Sequence, residues 1–134
     1  LLGPRGAAIT DFGHAKILGS EKNLLQCFVA GYGTPAWMAP EVLECHKASK
    51  ASDIYSFAVI LWELATSKRP FDNKLTTTEI EEKVIAGERP GKHTAAQRRT
   101  CKSYAQLIGK CWEGRAEMRP NIQAVESELA SMSL

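Results

Sequence analysis

The sequence predicts a mainly α-helical protein that opens with one short β-hairpin. Three observations carry this. Apolar residues recur at helical spacing in several stretches after residue 40. The segment from about Ser52 to Thr66 is apolar almost all round. Near the N-terminus, a Gly-Pro-Arg-Gly turn separates two short extended stretches. With 134 residues, 44% of them apolar, the chain is long enough for one domain of ordinary size.

Leu1-Leu2 and Ala7-Ala8-Ile9-Thr10 flank Gly3-Pro4-Arg5-Gly6, and Gly and Pro at those positions favour a tight reversal. From His14 to Pro35 no periodicity persists, and Gly19, Gly31 and Gly33 punctuate the stretch, which reads as a long loop. Loops of that length in compact domains tend to carry function. Pro40 suits the first turn of a short helix through Glu41-Val42-Leu43-Glu44, where its missing N–H has no helical partner to lose.

In the segment from Ser52 to Thr66, Ile54, Phe57, Ala58, Ile60, Leu61, Leu64 and Ala65 cover more than one face, which predicts a core helix. Asp53 in its first turn suits the positive end of the helix dipole. The next helix carries Ile80, Val84 and Ile85 on one side and ends at Gly87. Two pairs, Thr76 with Glu79 and Thr78 with Glu81, have capping-box spacing. Tyr104, Leu107, Ile108 and Cys111 follow the i, i+3, i+4, i+7 pattern of an amphipathic helix. A last helix is expected from about Pro120, with Ile122, Val125 and Leu129 inward.

The balance of 17 Lys and Arg against 15 Asp and Glu, a net +2, gives no electrostatic case for nucleic acid or an anionic membrane. No apolar run approaches the ~20 residues that span a bilayer. No secretory signal is visible, and a start at Leu1-Leu2-Gly3-Pro4 without methionine is expected of a piece of a longer protein. Cys27, Cys45, Cys101 and Cys111 form no C-x-x-C pair and no zinc-ligand spacing with His14, His46 or His93. Reduced thiols in a cytoplasmic protein are the expectation.

Asp11-Phe12-Gly13 and Ala39-Pro40-Glu41 lie 28 residues apart, and Gly33-Thr34-Pro35-Ala36-Trp37-Met38 leads into the second string. In this order and at this separation they resemble the two ends of a protein-kinase activation segment. The resemblance continues through Ser52-Asp53-Ile54-Tyr55-Ser56-Phe57, Pro70-Phe71, Gly87-Glu88-Arg89-Pro90, Cys111-Trp112 and Arg119-Pro120. The chain thus resembles the C-terminal lobe of a protein kinase domain, beginning just after the catalytic loop. Its wording is most similar to the tyrosine-kinase-like group of Ser/Thr type. The fold class so implied is the helical lobe of the α+β kinase fold with one N-terminal hairpin. Residues 1–10 would be the hairpin, 11–41 the activation segment and 42–134 the helical subdomain.

The resemblance implies roles residue by residue. Asp11 would hold Mg²⁺ against the ATP phosphates, because phosphoryl transfer relies on positioning and charge neutralisation. Phe12 would pack between the lobes, and Gly13 would permit the backbone change when the segment reorients. Gly33, Thr34 and Pro35 would form the substrate platform and favour Ser/Thr over Tyr acceptors. Ser20, Tyr32 and Thr34 are the segment's hydroxyls, each open to phosphorylation by an upstream kinase or to remaining a plain loop hydroxyl. Glu41 and Arg119 would pair, Arg supplying a planar fork that binds a carboxylate at two points. Asp53 would hold the backbone of the catalytic loop. His14, Tyr55 and Ala58 depart from the commonest residues of the family at their positions.

No glycine-rich phosphate loop, strand lysine, helix glutamate or His-Arg-Asp loop occurs in these 134 residues. The expectation is a part of an ATP- and Mg²⁺-dependent protein Ser/Thr kinase acting on protein substrates, with the isolated piece inactive. A pseudokinase or scaffold portion serving as a protein-interaction module is the alternative. Oligomeric state is left open by the sequence.

Overall fold

Helix formation dominates the described residues, and most helix starts have a visible cause. The computed structural model describes residues 2–3, 6–15, 33–71, 74–91 and 102–132. β1 (Leu2–Gly3) and β2 (Gly6–Ala7) pair antiparallel, with Leu2 opposite Ala7 and Gly3 opposite Gly6. The hairpin is shorter than the sequence suggests: Ala8, Ile9 and Thr10 lie beyond its ladder, and Ile9 is 86% exposed. Most of the expected loop, with Ser20, Cys27 and Tyr32, lies outside the described residues, as do Cys101 and His93.

α1 (Pro40–Cys45) begins with Pro40 in the first turn and ends at His46, whose φ of 54° leaves the helical region. α2 (Lys50–Thr66) starts two residues before the expected Ser52. Its start is set by Ser49, whose Oγ accepts from the Ser52 backbone N–H at 3.3 Å, while Ser52 Oγ accepts from the Ser49 N–H at 3.1 Å. This reciprocal cap satisfies two backbone donors that the first turn would otherwise leave open.

α2 is the centre of the core. Tyr55, Ala58 and Val59 are fully buried, and Ile54, Leu61 and Trp62 nearly so. Ile60 and Leu64, counted with the apolar set in the sequence, face outward among the described residues, Leu64 at 72% exposure. α4 (Lys102–Cys111) packs on α2 and buries the four residues its spacing selects, Tyr104, Leu107, Ile108 and Cys111. The Tyr104 hydroxyl donates to the Leu61 carbonyl at 3.3 Å, closing that contact.

α3 (Thr77–Ile85) uses Thr76, not Thr78, as its cap: Thr76 Oγ1 accepts from Glu79 N–H, and Glu79 accepts from Thr76 N–H at 2.7 Å. It stops where Gly87 takes a φ of 88°, with the N–H groups of Gly87 and Glu88 reaching back to Val84 and Lys83 carbonyls at 3.0 and 2.8 Å. That pair of bonds is the Schellman closure glycine makes easy. Val84 is fully buried, but Ile85, expected inward, is 43% exposed because the helix ends there.

α5 (Ile122–Ala130) begins after Asn121, whose side-chain oxygen accepts from the Ala124 N–H at 2.9 Å. Val125 is fully buried and Leu129 packs on the core, whereas Ile122 is 51% exposed. Val84, Leu107 and Val125 bring three helices into one hydrophobic cluster with α2. Each such side chain stabilises the fold by roughly 1.5–3 kcal/mol on burial. No described helix is long and apolar enough to cross a membrane.

Candidate functional site

Asp11 follows β2 and precedes a single 3-10 turn over Phe12–His14. Its φ of 62° and ψ of 66° place it in the left-handed region, which Asp tolerates better than most residues. Its carboxylate is exposed and caps nothing in the turn. Asp11 Oδ1 lies 3.5 Å from where a Cβ on Gly13 would stand, ordinary contact distance. Phe12 is 67% exposed and finds no apolar cover among the described residues.

Among the described residues no three His, Cys, Asp or Glu side chains gather to hold a metal. A lone, accessible carboxylate still fits Mg²⁺, which takes one or two protein carboxylates and completes its shell with water and phosphate oxygens. Cys45 is a free, exposed thiol and Cys111 a free, buried one. Burial first, and then the Glu128 charge, push the Cys111 thiol up to about 11, against a smaller opposing pull from Lys110. It is therefore a neutral core residue at ordinary pH.

The turn from Gly33 to Ala39 is short and heavily tied. Gly33 has a φ of 135°, which favours glycine, and a Cβ there would come within 2.7 Å of Met38 Sδ, so the flexible methionine side chain would have to shift. Pro35–Trp37 forms a 3-10 turn whose N–H groups at Trp37 and Met38 donate to Thr34 and Pro35 carbonyls, each at 3.0 Å. Thr34 is exposed while Pro35 and Ala36 immediately after it are buried. The Trp37 carbonyl accepts from Ser56 Oγ at 2.7 Å, and Trp37 Nε1 donates to Glu63 Oε2 at 2.8 Å. An exposed hydroxyl thus sits on a turn fixed to the central helix.

Glu41 and Arg119 are brought together from α1 and the segment before α5. Arg119 Nη1 and Nη2 donate to Glu41 Oε1 and Oε2 at 2.7 and 2.8 Å, a two-pronged pair. Nη1 also donates to the Ala51 carbonyl, Nη2 to that of Gly114 and Nε to that of Glu113, at 2.9, 3.1 and 2.7 Å. All five guanidinium donors are used, which is what a fully buried arginine requires. Ser52 Oγ adds a bond to Glu41 Oε1 at 2.9 Å. Burial alone would raise the Glu41 carboxyl. The Arg119 hydrogen bonds, a backbone bond, the guanidinium charge and Ser52 outweigh it and hold Glu41 below its ordinary 4.5.

Arg119 and Arg89 each lie 5.1 Å from the centroid of the Tyr55 ring, so one buried aromatic serves two cations. Arg89 is fixed by donating to the carbonyls of Trp112 at 2.9 Å, Glu88 at 2.8 Å and Val84 at 3.3 Å. Asp53 lies on the surface at the start of α2, with no side-chain hydrogen bond among the described residues. Desolvation against the helix body pushes its carboxyl up. Sequence reasoning gave no role to Ser49, Ser56, Glu63 or Arg89. The Ser-x-x-Ser string at 49–52 and the single acid inside an apolar run at Glu63 were the available signals.

The family described as protein tyrosine and serine/threonine kinase matches residues 3–129. The chain belongs to that family. It is 38% identical over 128 residues to the probable serine/threonine-protein kinase pats1 of Dictyostelium discoideum, covering 95% of this chain and 4% of that protein. It is 35% identical over 126 residues to the dual specificity protein kinase shkA of the same organism, covering 90% of this chain and 22% of the relative. Against mitogen-activated protein kinase kinase kinase 7 of Drosophila melanogaster it is 38% identical over 93 residues, 69% of this chain and 13% of the relative. The chain therefore spans between 4% and 22% of the length of these relatives. Membership of this family implies ATP, a divalent metal and protein substrates in general terms.

Proposed function

We propose that this chain is the C-terminal-lobe portion of a protein kinase that transfers the γ-phosphoryl group of ATP to Ser and Thr hydroxyls of proteins. Residues 1–10 serve as the hairpin, 11–41 as the activation segment and 42–134 as the helical subdomain. The observation that carries the reading is the exposed Thr34 on a turn with Pro35 and Ala36 buried beneath it, anchored to α2 by Trp37. A protein substrate needs such a platform: accessible on top, unyielding below. Names of relatives that specify Ser/Thr kinases support the acceptor class.

In this reading Asp11 holds Mg²⁺, which neutralises phosphate charge during transfer. Phe12 packs between the lobes and Gly13 lets the segment reorient. Ser20 and Tyr32 are segment hydroxyls available to an upstream kinase. Thr34, with Gly33 and Pro35, orients the acceptor. The Glu41–Arg119 pair locks the end of the segment to the helical subdomain, and Asp53 steadies the catalytic loop. The residue that takes the hydroxyl proton is not among these 134, so the chain alone does not catalyse transfer. A cytoplasmic setting belongs to this reading, resting on cysteine spacings in the sequence that suggest no disulfide framework.

The test is phosphate transfer from Mg²⁺-ATP by the complete protein to Ser, Thr and Tyr peptides. Transfer to Ser and Thr peptides is expected, with Asp11→Asn lowering it by roughly 10²-fold or more. Transfer to Tyr as well would move the reading toward the dual specificity named for one relative. A folded complete protein with no transfer would replace the kinase by a binding scaffold.

A further inference from the structure

The turn that follows α2 is held unusually firmly for a surface connection. Ser67 closes the helix in the left-handed region, at a φ of 53°, and its N–H donates to the Glu63 carbonyl at 2.7 Å. The Lys68 backbone N–H donates to Thr66 Oγ1 at 3.3 Å, and that hydroxyl in turn donates to the Trp62 carbonyl at 2.8 Å. Pro70 is buried, and Phe71 packs on the core with a φ of 63°. A left-handed backbone is uncommon for a bulky residue and persists only where the surroundings over-determine it. Between these two pinned ends, Lys68 and Arg69 are exposed. Neither side chain has a hydrogen bond or ion pair with any described residue.

The helix does not account for the two cations. Its last turn holds no basic residue, and both lie past the cap, where the pull of the dipole has faded. Their position is more informative. Trp37, in the turn that carries Thr34, reaches Glu63 at 2.8 Å, and Ser67 stands four residues, about 6 Å, farther along the same helix. Two unpaired cations on a fixed turn beside that site attract carboxylates in a chain lying across it. We infer that Lys68 and Arg69 select protein substrates that carry Asp or Glu a few residues from the acceptor hydroxyl. The inference rests on the reading of Gly33–Pro35 as the substrate platform. Neither residue takes part in the transfer itself.

The test uses the complete protein, as wild type and as Lys68→Glu/Arg69→Glu. The substrates are matched Thr peptides with Glu, Gln or Lys stepped through the positions on either side of the acceptor. In the wild type, Glu at the best position is expected to lower the peptide KM about threefold to tenfold against Gln, the scale of exposed charge pairs. Lys there should raise it. The double substitution should reverse this order, and the wild-type preference should shrink at 1 M salt, where the Debye length is about 3 Å. Arg115→Glu, at an exposed arginine between α4 and α5, controls for net charge and should keep the preference within about twofold of wild type. Equal KM values for Glu and Gln peptides in an active wild type would overturn the inference and leave the kinase reading standing. So would a preference that survives the double substitution. If the wild type transfers no phosphate, the same peptides, fluorescently labelled, are followed by anisotropy. Tighter binding of the Glu peptide, inverted by the double substitution, then upholds the basic pair without the kinase reading, and binding indifferent to charge rejects it.

Discussion

Arg119 and Glu41, 78 residues apart in the chain, meet through two parallel hydrogen bonds at 2.7 and 2.8 Å, with the guanidinium wholly buried and the carboxylate 24% exposed. The asymmetry matters. The cation has no water to fall back on, whereas the anion keeps a partial route to solvent.

Replacing Glu41 by Gln therefore harms the protein mainly through the arginine it leaves behind. Removing one partner of a buried pair costs about 3–5 kcal/mol, and the partial exposure of Glu41 puts this case near the low end, about 3 kcal/mol. Chemical denaturation of the complete kinase domain should show that loss. Replacing Lys83, whose pair with Glu88 at 3.1 Å is open to solvent, should change stability by no more than about 1 kcal/mol. Equal effects at the two pairs would contradict the burial argument.

The same pair predicts a pH dependence of definite sign. Glu41 titrates below its ordinary 4.5 in the folded protein, so its stabilisation is complete above that value and is lost as pH falls through the lowered one. Asp53 acts in the opposite sense. Its carboxyl is raised above 3.8, so its contribution favours the fold at low pH and fades as pH rises, weakly because the residue is exposed. Melting temperatures followed from about pH 7 to pH 3 should show wild type and Glu41→Gln far apart at neutrality and converging below about 4.5. A gap that stays constant with pH would place the effect elsewhere than in the charge.

Two capping boxes are written into the sequence before α3, and only one is used. Thr76→Ala should cost about 1 kcal/mol, since Thr76 Oγ1 accepts the Glu79 N–H and anchors the Glu79 carboxylate at 2.7 Å. Thr78→Ala, inside the helix, should stay within about 0.5 kcal/mol. Reversal of that order in thermal melts would mean that the helix starts two residues later.

What the sequence reveals and what it conceals follow the same division. Periodicity found Tyr104, Leu107, Ile108 and Cys111, because that face of α4 packs on α2. It misplaced Ile85 and Ile122, which fall at helix ends where no further turn covers them. α2 begins two residues before the expected Ser52 because Ser49 and Ser52 cap it with hydroxyls ahead of the apolar onset at Ile54. Motif resemblance singled out Glu41 and Arg119 but not the three carbonyls that complete Arg119, since backbone acceptors leave no trace in composition. Arg89 lay in plain view within Gly87–Pro90. Its partners are carbonyls and the face of Tyr55, which only the fold brings near.

Tyr55 gives the last prediction, and it runs against the usual expectation for a core substitution. The ring is fully buried and faces two guanidinium groups, yet its hydroxyl has no hydrogen-bond partner among the described residues. An unpaired buried hydroxyl costs about 1–3 kcal/mol of desolvation, whereas the ring face earns the cation–π contacts whether or not the oxygen is there. Tyr55→Phe should leave stability unchanged or raise it by about 1 kcal/mol. Tyr55→Leu removes the aromatic face from both arginines and empties part of the core, and should lower stability by about 2–4 kcal/mol. Denaturation of the two variants side by side separates ring from hydroxyl. A loss in Tyr55→Phe as large as in Tyr55→Leu would show that the oxygen, not the π face, holds this junction of α2, Arg89 and Arg119 together.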